Sequence, residues 1–315
     1  MSAALLEVRD LVVRFRTGSR PHLAVDGVSF ELAAGESLGL VGESGSGKSS
    51  LARALLRLVP ASGVARFAGS DLLQLQGAAL RATREHLQII FQEPLAALDP
   101  RMRIAEIVAE PLREFRPQLE PRERRALVRA MLERVGLDAA HLDRYPHEFS
   151  GGQAQRIGIA RALVLRPRLL LCDEPLASLD VSISAQIVNL LRDLKREFGL
   201  SLLFIAHDLA TVRQVCERVM VLYRGRVMEI APREQLYRAP RHPYTRALLA
   251  AVPAPDPTHA RLAALAVGEA GIAPPEPGGC VFRQRCTLAT VRCASETPQL
   301  RATGSSSVAC HYAET

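Results

Sequence analysis

One short segment of this sequence has residue types and spacing that could bind phosphate: GESGSGKSS at 42–50. Gly42, Gly47, Lys48 and Ser49 match the pattern of a glycine, four variable residues, a glycine, a lysine and a serine or threonine. Glycines allow successive backbone amides to point at a phosphate, a lysine ammonium reaches the outer phosphates, and a serine hydroxyl can ligate magnesium. The predicted phosphate-loop contacts are Gly42, Glu43, Ser44, Gly45, Ser46, Gly47, Lys48, Ser49 and Ser50.

Composition sets Lys48 apart. The 315 residues include 40 lysines and arginines, of which only Lys48 and Lys195 are lysines. A basic position filled by composition alone would be an arginine, so the lysine at 48 indicates a site that needs a compact point charge instead of a guanidinium fork. The formal net charge of +7 is weak evidence for a nucleic-acid partner, because the arginines are scattered among acidic residues.

Two adjacent acids end the apolar run LLLCDE at 169–174. Asp173 stands where its carboxylate can hold magnesium through water, and Glu174 can polarise an attacking water. A phosphate loop alone is shared by kinases, GTPases and many ATPases, so the rest of the chain must decide between these classes.

The elements that must position these residues follow from apolar patterning. Short apolar runs predict the strands of a parallel sheet covered on both faces, and helical spacing predicts helices between them. The predicted strands are 36–41, 168–173 and 201–206, and the predicted helices include 48–59 and 184–198. The phosphate loop therefore joins a strand to a helix, which is the context that its motif requires.

The composition changes twice along the chain. Between about 95 and 150, proline-bounded segments rich in arginine and glutamate, such as 121–135, predict exposed amphipathic helices of an inserted helical subdomain. Alanine, proline and arginine become frequent after about 230, and 268–279 predicts a linker into a cysteine-bearing tail. The expected units are a nucleotide-binding domain at 1–232 and a small extension at 233–315.

The segment FSGGQAQR at 149–156 resembles the signature of the ATP-binding cassette (ABC) family, which is close to L-S-G-G-Q, with Phe149 at the usual leucine. Gln92 in IIFQEP, Asp180 in LASLD and His207 in IAHDL follow the order of the family's other motifs. The resemblance implies an α/β fold of the P-loop NTPase class: an ABC-type nucleotide-binding domain with an inserted helical subdomain and a small C-terminal extension. The implied activity is ATP hydrolysis.

The resemblance also implies roles for individual residues. The implied catalytic residues are Glu174, His207 and Gln92; the implied magnesium ligands are Ser49, Gln92 and Asp173; the signature residues are Ser150, Gly151, Gly152 and Gln153; and Asp180 belongs to the D-loop. Backbone amides at the start of the signature helix would cap the γ-phosphate of ATP held by another chain. The family often stacks an aromatic side chain on adenine ahead of the phosphate loop, and the two candidates for this role here are Arg14 and Phe15, of which Phe15 is favoured.

The sequence departs from the family pattern at two places. Ala154 stands at a position that is often charged or glutamine-like, and Ala177 and Ser178 are exchanged relative to the usual S-A-L-D. Neither change removes a group with an implied catalytic role. Both lie where two subunits would communicate.

Three further segments resemble the ATPase subunits of dipeptide and oligopeptide importers, over roughly residues 5–258. They are QIIFQEPLAALDPRM, RYPHEFSGGQ and RHPYTRALLAAVPAPDP. This branch implies ATP and magnesium as cofactors and, as partners, a second ABC ATPase subunit in a homodimer or heterodimer, two membrane-spanning permease subunits and an extracytoplasmic substrate-binding protein. In RHPYTR, Thr245 is expected to cap a short helix.

Two alternatives stay open. The same machinery could import nickel, glutathione or another small solute, because this subunit need not touch the cargo. A soluble ABC ATPase acting on nucleic acid would usually show two cassettes or a long coiled-coil insert, so no nucleic-acid partner is expected. The start, MSAALLEVRD, has no export signal, and apolar runs fall short of the roughly 20 residues needed to span a bilayer. We therefore expect a peripheral subunit at the cytoplasmic face of the inner or cell membrane.

Four of the six cysteines crowd the end of the chain. Cys280, Cys286, Cys293 and Cys310 have five, six and sixteen residues between successive members, a spacing unlike paired C-x-x-C zinc sites. Four thiolates could hold an iron-sulfur cluster or a structural zinc, and free thiols are the third interpretation. The resemblance favours a four-iron cluster over zinc. The other two, Cys172 and Cys216, are predicted to be buried packing residues.

Overall fold

The computed structural model describes residues 4–17, 20–251 and 278–313. Its strands are β1 (Ala4–Thr17), β2 (Arg20–Ala33), β3 (Ser37–Val41), β4 (Ser62–Phe67), β5 (Ser70–Asp71), β6 (Leu87–Ile90), β7 (Leu169–Asp173), β8 (Ser201–Ile205), β9 (Arg218–Tyr223), β10 (Arg226–Pro232), β11 (Arg301–Thr303) and β12 (Ser306–Val308). Its α-helices are α1 (Lys48–Leu55), α2 (Gly77–His86), α3 (Ile104–Phe115), α4 (Pro121–Arg134), α5 (Gly151–Leu163), α6 (Val181–Phe198), α7 (Leu209–Val215), α8 (Arg233–Arg238), α9 (Pro243–Ala250) and α10 (Val291–Ser295). The predicted linker at 268–279 lies outside the described residues, apart from its last two positions.

The large sheet has the strand order β11-β12-β10-β9-β3-β8-β7-β6. Its centre, from β9 through β3, β8 and β7 to β6, is parallel, as the apolar runs predict. Strands β10, β12 and β11 continue the sheet antiparallel at one edge. The predicted strands at 36–41, 168–173 and 201–206 correspond to β3, β7 and β8, whose residues are all buried.

The two faces of this sheet belong to two separate cores. In β7, Leu169 and Leu171 join the core that contains α1, whereas Leu170 and Cys172 join the core that contains α5 and α6. Side chains alternate between faces along a strand, so a strand covered on both sides must be apolar at every position. This explains why the sequence shows continuous apolar runs instead of alternation.

A second sheet, which the sequence analysis did not predict, has the order β2-β1-β4-β5 and is antiparallel. Leu6 and Val13 of β1 share a core with Leu40 of β3 and Leu51 of α1. The first helix is therefore packed between the two sheets. The β1–β2 pairing sets Phe15 opposite His22, near the start of α1.

Two predicted helices have different ends in the structure. The helix predicted at 48–59 ends at Leu55, so its last turn was wrong. Arg57 adopts a positive φ of 56°. Its Nη1 donates to three carbonyl oxygens, those of Leu72, Leu73 and Leu75, at 2.9, 2.6 and 3.0 Å. These contacts with a distant loop replace another helical turn.

The helix predicted at 184–198 is α6, which begins three residues earlier. Asp180 Oδ1 accepts from the backbone N–H of Ile183 at 2.9 Å and so caps its N-terminus. Gly199, in the left-handed region at φ 64°, ends the helix as predicted.

The region 95–150 contains α3 and α4. Both helices pack against each other and against α5. Only one face of α4 is buried, with Val128, Met131 and Leu132, as expected of an amphipathic helix at the surface. The domain limits proposed from the sequence stay predictions.

The end of the chain is joined to the large sheet. Strand β12 pairs with β10, with Val308 opposite Glu229 and Ser307 opposite Ile230. The capping role predicted for Thr245 was wrong: Thr245 is buried inside α9, and His242 Nδ1 accepts from the N–H of Tyr244 at 3.0 Å. In the described ranges, no helix combines the length and apolar character needed to cross a membrane.

Candidate nucleotide-binding site

The candidate site lies where the parallel strands end. Strands β3, β8 and β7 are neighbours, so the residues that follow them meet at one edge of the sheet. A cavity of about 400 Å³ occupies this edge. The predicted site residues that line it are Phe15, Ser44, Gly45, Gly47, Lys48, Ser49, Ser50, Gln92, Glu174 and His207.

The phosphate loop approaches other backbone segments closely at two glycines. Gly42 has φ 156° and Gly47 has φ 104°. A Cβ atom at Gly42 would overlap the carbonyl oxygen of Leu222, and one at Gly47 would overlap that of Ala24. Glycine is required at both positions because no side chain fits there. The loop is thereby fixed between β9 and β2.

Lys48 is buried beneath the loop, with 4% of its surface exposed. Its Nζ donates to the carbonyl oxygens of Gly42 at 2.9 Å and Glu43 at 3.0 Å. Burial lowers the pKa of Lys48 below its ordinary value, and the carboxylate of Glu174, 3.8 Å away, opposes that shift. The two hydrogen bonds hold the Lys48 side chain in place within the cavity.

Ser49 and Asp173 place two oxygen ligands side by side. Ser49 Oγ donates to Asp173 Oδ1 at 2.8 Å. Burial raises the pKa of Asp173, and the hydrogen bond from Ser49 opposes that rise. Magnesium is bound in proteins by one or two such groups together with phosphate oxygens and water, so this pair fits the ion.

Glu174 contacts both of the other predicted catalytic residues, Gln92 and His207. Its backbone has a positive φ of 46°, and its N–H donates to the carbonyl of Ile205 at 3.1 Å. Gln92 Nε2 donates to Glu174 Oε2 at 3.3 Å, and His207 Nδ1 lies 3.4 Å from the same oxygen. A non-glycine residue at positive φ is strained, and such strain is often found at functional sites. The structure thus brings the three residues together; their catalytic roles stay predictions.

The structure distinguishes between the two residues proposed to stack on adenine, Phe15 and Arg14. Phe15 lines the cavity, whereas Arg14 is exposed and is not among the described lining residues. His22, opposite Phe15 across the β1–β2 pair, also lines the cavity. No local sequence pattern points to His22, because only the pairing of the two strands brings it to the site.

The signature residues lie elsewhere. Ser150 caps α5: its Oγ accepts from the N–H of Gln153 at 3.4 Å, and Gln153 Oε1 accepts from the N–H of Ser150 at 3.0 Å. Gly152 packs against Ile183 near the start of α6, where a Cβ would lie 2.6 Å from its Cγ2. Among the described residues that line the phosphate-loop cavity, none belongs to 150–153. The chain does not bring its own signature to its own phosphate loop.

Comparison with known proteins identifies this arrangement. The family model described as "ABC transporter" matches residues 25–177, and the model described as "Oligopeptide/dipeptide transporter, C-terminal region" matches residues 228–293. The oligopeptide transport ATP-binding protein OppF of Escherichia coli (strain K12) is 49% identical over 318 residues, which cover 97% of this chain and 95% of that protein. The chain belongs to the ABC transporter family. OppF of Haemophilus influenzae is 49% identical over 319 residues, covering 97% of this ABC chain and 96% of that protein.

Solved structures agree with the family. The dimeric structure of the ATP-binding cassette MJ0796, in a post-hydrolysis state bound to ADP and Pi, has a TM-score of 0.67 and 27% identity, covering 72% of this ABC chain and 98% of that chain. CbiO1 from Clostridium perfringens has a TM-score of 0.66 and 27% identity, covering 75% and 91%. The predicted ABC-type α/β fold and the ATPase class are therefore confirmed.

The tail of this ABC chain brings its four cysteines to one small cavity of about 10 Å³. Burial raises the pKa of the thiols of Cys280, Cys286 and Cys310, which favours the protonated form over the thiolate that binds metal. Within 4–17, 20–251 and 278–313, no group of three or more His, Cys, Asp or Glu side chains is arranged to hold a metal ion. The expectation of a four-iron cluster or zinc is therefore not supported.

The remaining cysteines behave as predicted. Cys172 and Cys216 have no exposed surface and pack in the core. Two contacts to the phosphate loop were not predicted from the sequence. Tyr244 Oη accepts from the N–H of Glu43 at 3.1 Å, and Arg285 pairs with the carboxylate of Glu43 at 2.7 Å. Tyr244 stands in RHPYTR, a segment to which the sequence assigned no chemical role.

Proposed function

We propose that this ABC ATPase powers the import of dipeptides and oligopeptides. The observation that carries the proposal is the match of residues 228–293 to the C-terminal region of oligopeptide and dipeptide transporters. The long similarity to two OppF proteins, which are oligopeptide transport ATP-binding proteins, supports the same substrate class. The nucleic-acid alternative has no comparable support.

In this proposal the triphosphate of ATP binds at 42–50 and its adenine stacks on Phe15. Glu174 orients the attacking water, while His207 and Gln92 complete the site around the γ-phosphate. The contacts of Gln92 and His207 with Glu174, at 3.3 and 3.4 Å, support this assignment, because catalysis of phosphoryl transfer depends on positioning and on charge stabilisation. Lys48 supplies the buried positive charge.

Magnesium would be held by Ser49 and Asp173, with Gln92 as the third protein ligand. The bound ion supplies positive charge that neutralises the phosphate oxygens. Ser49 and Asp173 already share a hydrogen bond, and the side chain of Gln92 instead contacts Glu174. Gln92 would therefore have to turn its carbonyl oxygen toward the ion.

We further propose that two cassettes enclose each ATP. The signature N-terminus at Ser150 lies outside the phosphate-loop cavity of its own chain, with Ser150 and Gly151 exposed. Helix N-termini carry free N–H groups and a partial positive charge that suit a phosphate. A second ABC ATPase subunit, as homodimer or heterodimer partner, would present its signature to this cavity. Asp180, which caps α6 beside the signature, would lie at the same interface.

Coupling to the membrane would occur next to Gln92. A second cavity of about 840 Å³ lies between the end of β6 with the 91–97 loop that follows it and helices α3 and α5, and Gln92 lines both cavities. Arg161 of α5 donates to the carbonyl of Ala97 at 2.6 Å and thereby fixes this loop. Two permease subunits would contact this second cavity at the cytoplasmic face of the inner or cell membrane, and an extracytoplasmic binding protein would supply the peptide.

Transport measurements in cells that lack this chain test the substrate. We expect uptake of a labelled dipeptide to be lost, restored by the wild-type chain, and not restored by a Glu174→Gln chain. Unlabelled peptide should compete in the restored cells, whereas glutathione and nickel should not. Normal peptide uptake in the deleted cells, with loss of nickel or glutathione uptake, would reject the peptide assignment.

A further inference from the structure

We propose that the C-terminal tail positions the phosphate loop, through a contact between Arg285 and Glu43. Arg285 Nη1 donates to Glu43 Oε2 at 2.7 Å, and Arg285 Nη2 donates to Glu43 Oε1 at 2.7 Å. The two residues are 242 positions apart in sequence. This bidentate pair joins the tail directly to the second residue of the loop, and Arg285 is inferred to be a positioning residue and not a catalytic one.

The guanidinium of Arg285 is held in an aromatic pocket. It lies 5.3 Å from the ring centroid of Tyr223, 5.7 Å from that of Phe282 and 6.0 Å from that of Tyr244. Phe282 is fully buried and packs against both tyrosine rings, which docks the tail at the end of β9. Only 10% of the Arg285 side chain is exposed. A planar guanidinium can stack and form two parallel hydrogen bonds at once, which a lysine cannot.

Glu43 is bound through its backbone as well. Its N–H donates to Tyr244 Oη at 3.1 Å, and Tyr244 is fully buried in α9. Its carbonyl oxygen accepts from Lys48 Nζ at 3.0 Å and from the N–H of Ser46 at 3.1 Å. Residues beyond 232 therefore hold the N–H and the carboxylate of Glu43, while the carbonyl of Glu43 helps to place the ammonium of Lys48.

This arrangement has a consequence for ATP binding. A phosphate loop whose backbone is already ordered loses less conformational freedom when the ligand binds. Loss of the Arg285 contact should therefore weaken ATP binding. Bound phosphate orders the loop itself, so the maximal rate at saturating ATP should change much less. The inference rests on the proposed function, in which 42–50 binds the triphosphate.

The same tail offers a matched control pair. Arg292 and Glu296 form a salt bridge at 2.8 Å within α10 and its end, with side chains 55% and 57% exposed. Exposed pairs of this kind contribute little to stability. Arg292→Gln therefore removes an arginine from the tail without changing a contact of the phosphate loop.

The test measures equilibrium binding of a fluorescent ATP analogue, mant-ATP, with magnesium to the full-length chain. Arg285→Gln is expected to raise the Kd about tenfold, and Arg292→Gln to leave it unchanged. Arg285→Lys should recover part of the affinity, because it restores the charge without the two parallel bonds. Glu43→Gln should weaken binding as much as Arg285→Gln, and the double variant should show no further loss.

Kinetics and folding complete the test. In the assembled ATPase, Arg285→Gln should raise KM for ATP about tenfold and lower kcat by less than about threefold. If Arg285→Gln does not fold, Arg285→Lys and Glu43→Gln decide: both should also raise the Kd. Wild-type affinity in the folded variants, or additive losses in the Glu43 and Arg285 double variant, would overturn the inference. Failure of the wild-type chain to bind mant-ATP would instead overturn the proposed function.

Discussion

Ser49 Oγ donates a hydrogen bond to Asp173 Oδ1 at 2.8 Å, although the two residues are 124 positions apart in sequence. The bond joins the first turn of α1 to the end of β7. It exists because β3 and β7 lie on either side of β8 with the same direction, so the helix that follows β3 begins beside the last residue of β7. The bond lies at the same edge of the sheet as the ion pair of Lys48 and Glu174, whose charged atoms are 3.8 Å apart.

Replacement of Lys48 by arginine tests the need for a compact charge. The Lys48 ammonium fits between two carbonyl oxygens with 4% of its surface exposed, so a broader guanidinium should not fit. We expect Lys48→Arg to weaken ATP binding at least about tenfold. Isothermal titration calorimetry with ATP and magnesium measures the Kd of both chains.

The matched control is Lys195→Arg, which changes the only other lysine. Lys195 Nζ donates to Ser37 Oγ at 3.0 Å and pairs with Glu217, far along the sheet from the phosphate loop. An arginine can make both contacts, and ATP binding should stay at the wild-type level. Equal affinity of the Lys48→Arg and Lys195→Arg chains would contradict the prediction.

Glu174→Gln should separate ATP binding from hydrolysis. Glutamine keeps the size of the side chain but cannot polarise water as a carboxylate does, so phosphate release by the assembled ATPase should fall about 10²- to 10⁴-fold. ATP binding should persist, and size-exclusion chromatography should show an ATP-dependent dimer. Glu234→Gln, at an exposed position paired with its neighbour Arg233, is the control. Hydrolysis at the wild-type rate in Glu174→Gln would remove Glu174 from its assigned role.

Ser150→Ala should affect only the shared site. The substitution removes the side-chain cap of α5, at a cost of about 1 kcal/mol in helix stability. The assembled ATPase should lose activity at least about tenfold, because the amides at this helix end would face the partner's ATP. The isolated chain should bind ATP as before, since Ser150 lies outside its cavity. Asp138→Ala, which removes another cap by leaving the N–H of Ala140 unpaired, is the control. A parallel loss of ATP binding by the isolated Ser150→Ala chain would contradict the two-chain site.

The stability of the chain should depend on pH through His242. Burial lowers the pKa of His242 from 6.5 to about 4, while a hydrogen bond with the backbone of Ala309 opposes that shift. Because the folded pKa lies below the unfolded one, the unfolded state binds more protons between these values. The stabilisation is complete above about pH 6.5 and is lost as the pH falls to about 4, by up to about 3 kcal/mol.

His242→Asn isolates this effect. The side-chain oxygen of asparagine can accept a hydrogen bond from the N–H of Tyr244, as His242 Nδ1 does, but asparagine does not titrate. We expect the urea midpoint of the variant to fall less steeply between pH 6.5 and pH 4 than that of the wild type. An identical pH profile for both chains would show that His242 does not cause the dependence.

Much of this molecule could be predicted from local sequence patterns. The segment 42–50 required glycines at positions where backbones approach closely, and the runs at 168–173 and 201–206 had to be apolar throughout because both sheet faces are covered. Residue type and order were enough to indicate the ABC family and its site residues. The burial of Cys172 and Cys216 also follows from apolar neighbours in the chain.

Other features depend on contacts between distant segments. Helix α1 ends early because Arg57 reaches the carbonyl oxygens of the 72–75 loop, and α9 is capped by His242 and not by Thr245. Both outcomes depend on which neighbour lies within hydrogen-bond distance, and several residue types could satisfy the same local pattern. The antiparallel sheet of β1, β2, β4 and β5 likewise escaped prediction, and with it the place of His22 in the cavity.

The sequence by itself was enough to predict the phosphate loop, the two acids at the end of β7 and membership of the ABC family. Each of these depends on short runs of adjacent residues whose types restrict the backbone conformation or the chemistry. Only the tertiary structure decided that Arg285 pairs with the carboxylate of Glu43 and that Tyr244 Oη accepts a hydrogen bond from the N–H of Glu43. These contacts arise from the packing of Phe282 against Tyr223 and Tyr244. Such packing depends on the shape of a surface built by strands and helices far apart in the chain, which no local pattern specifies.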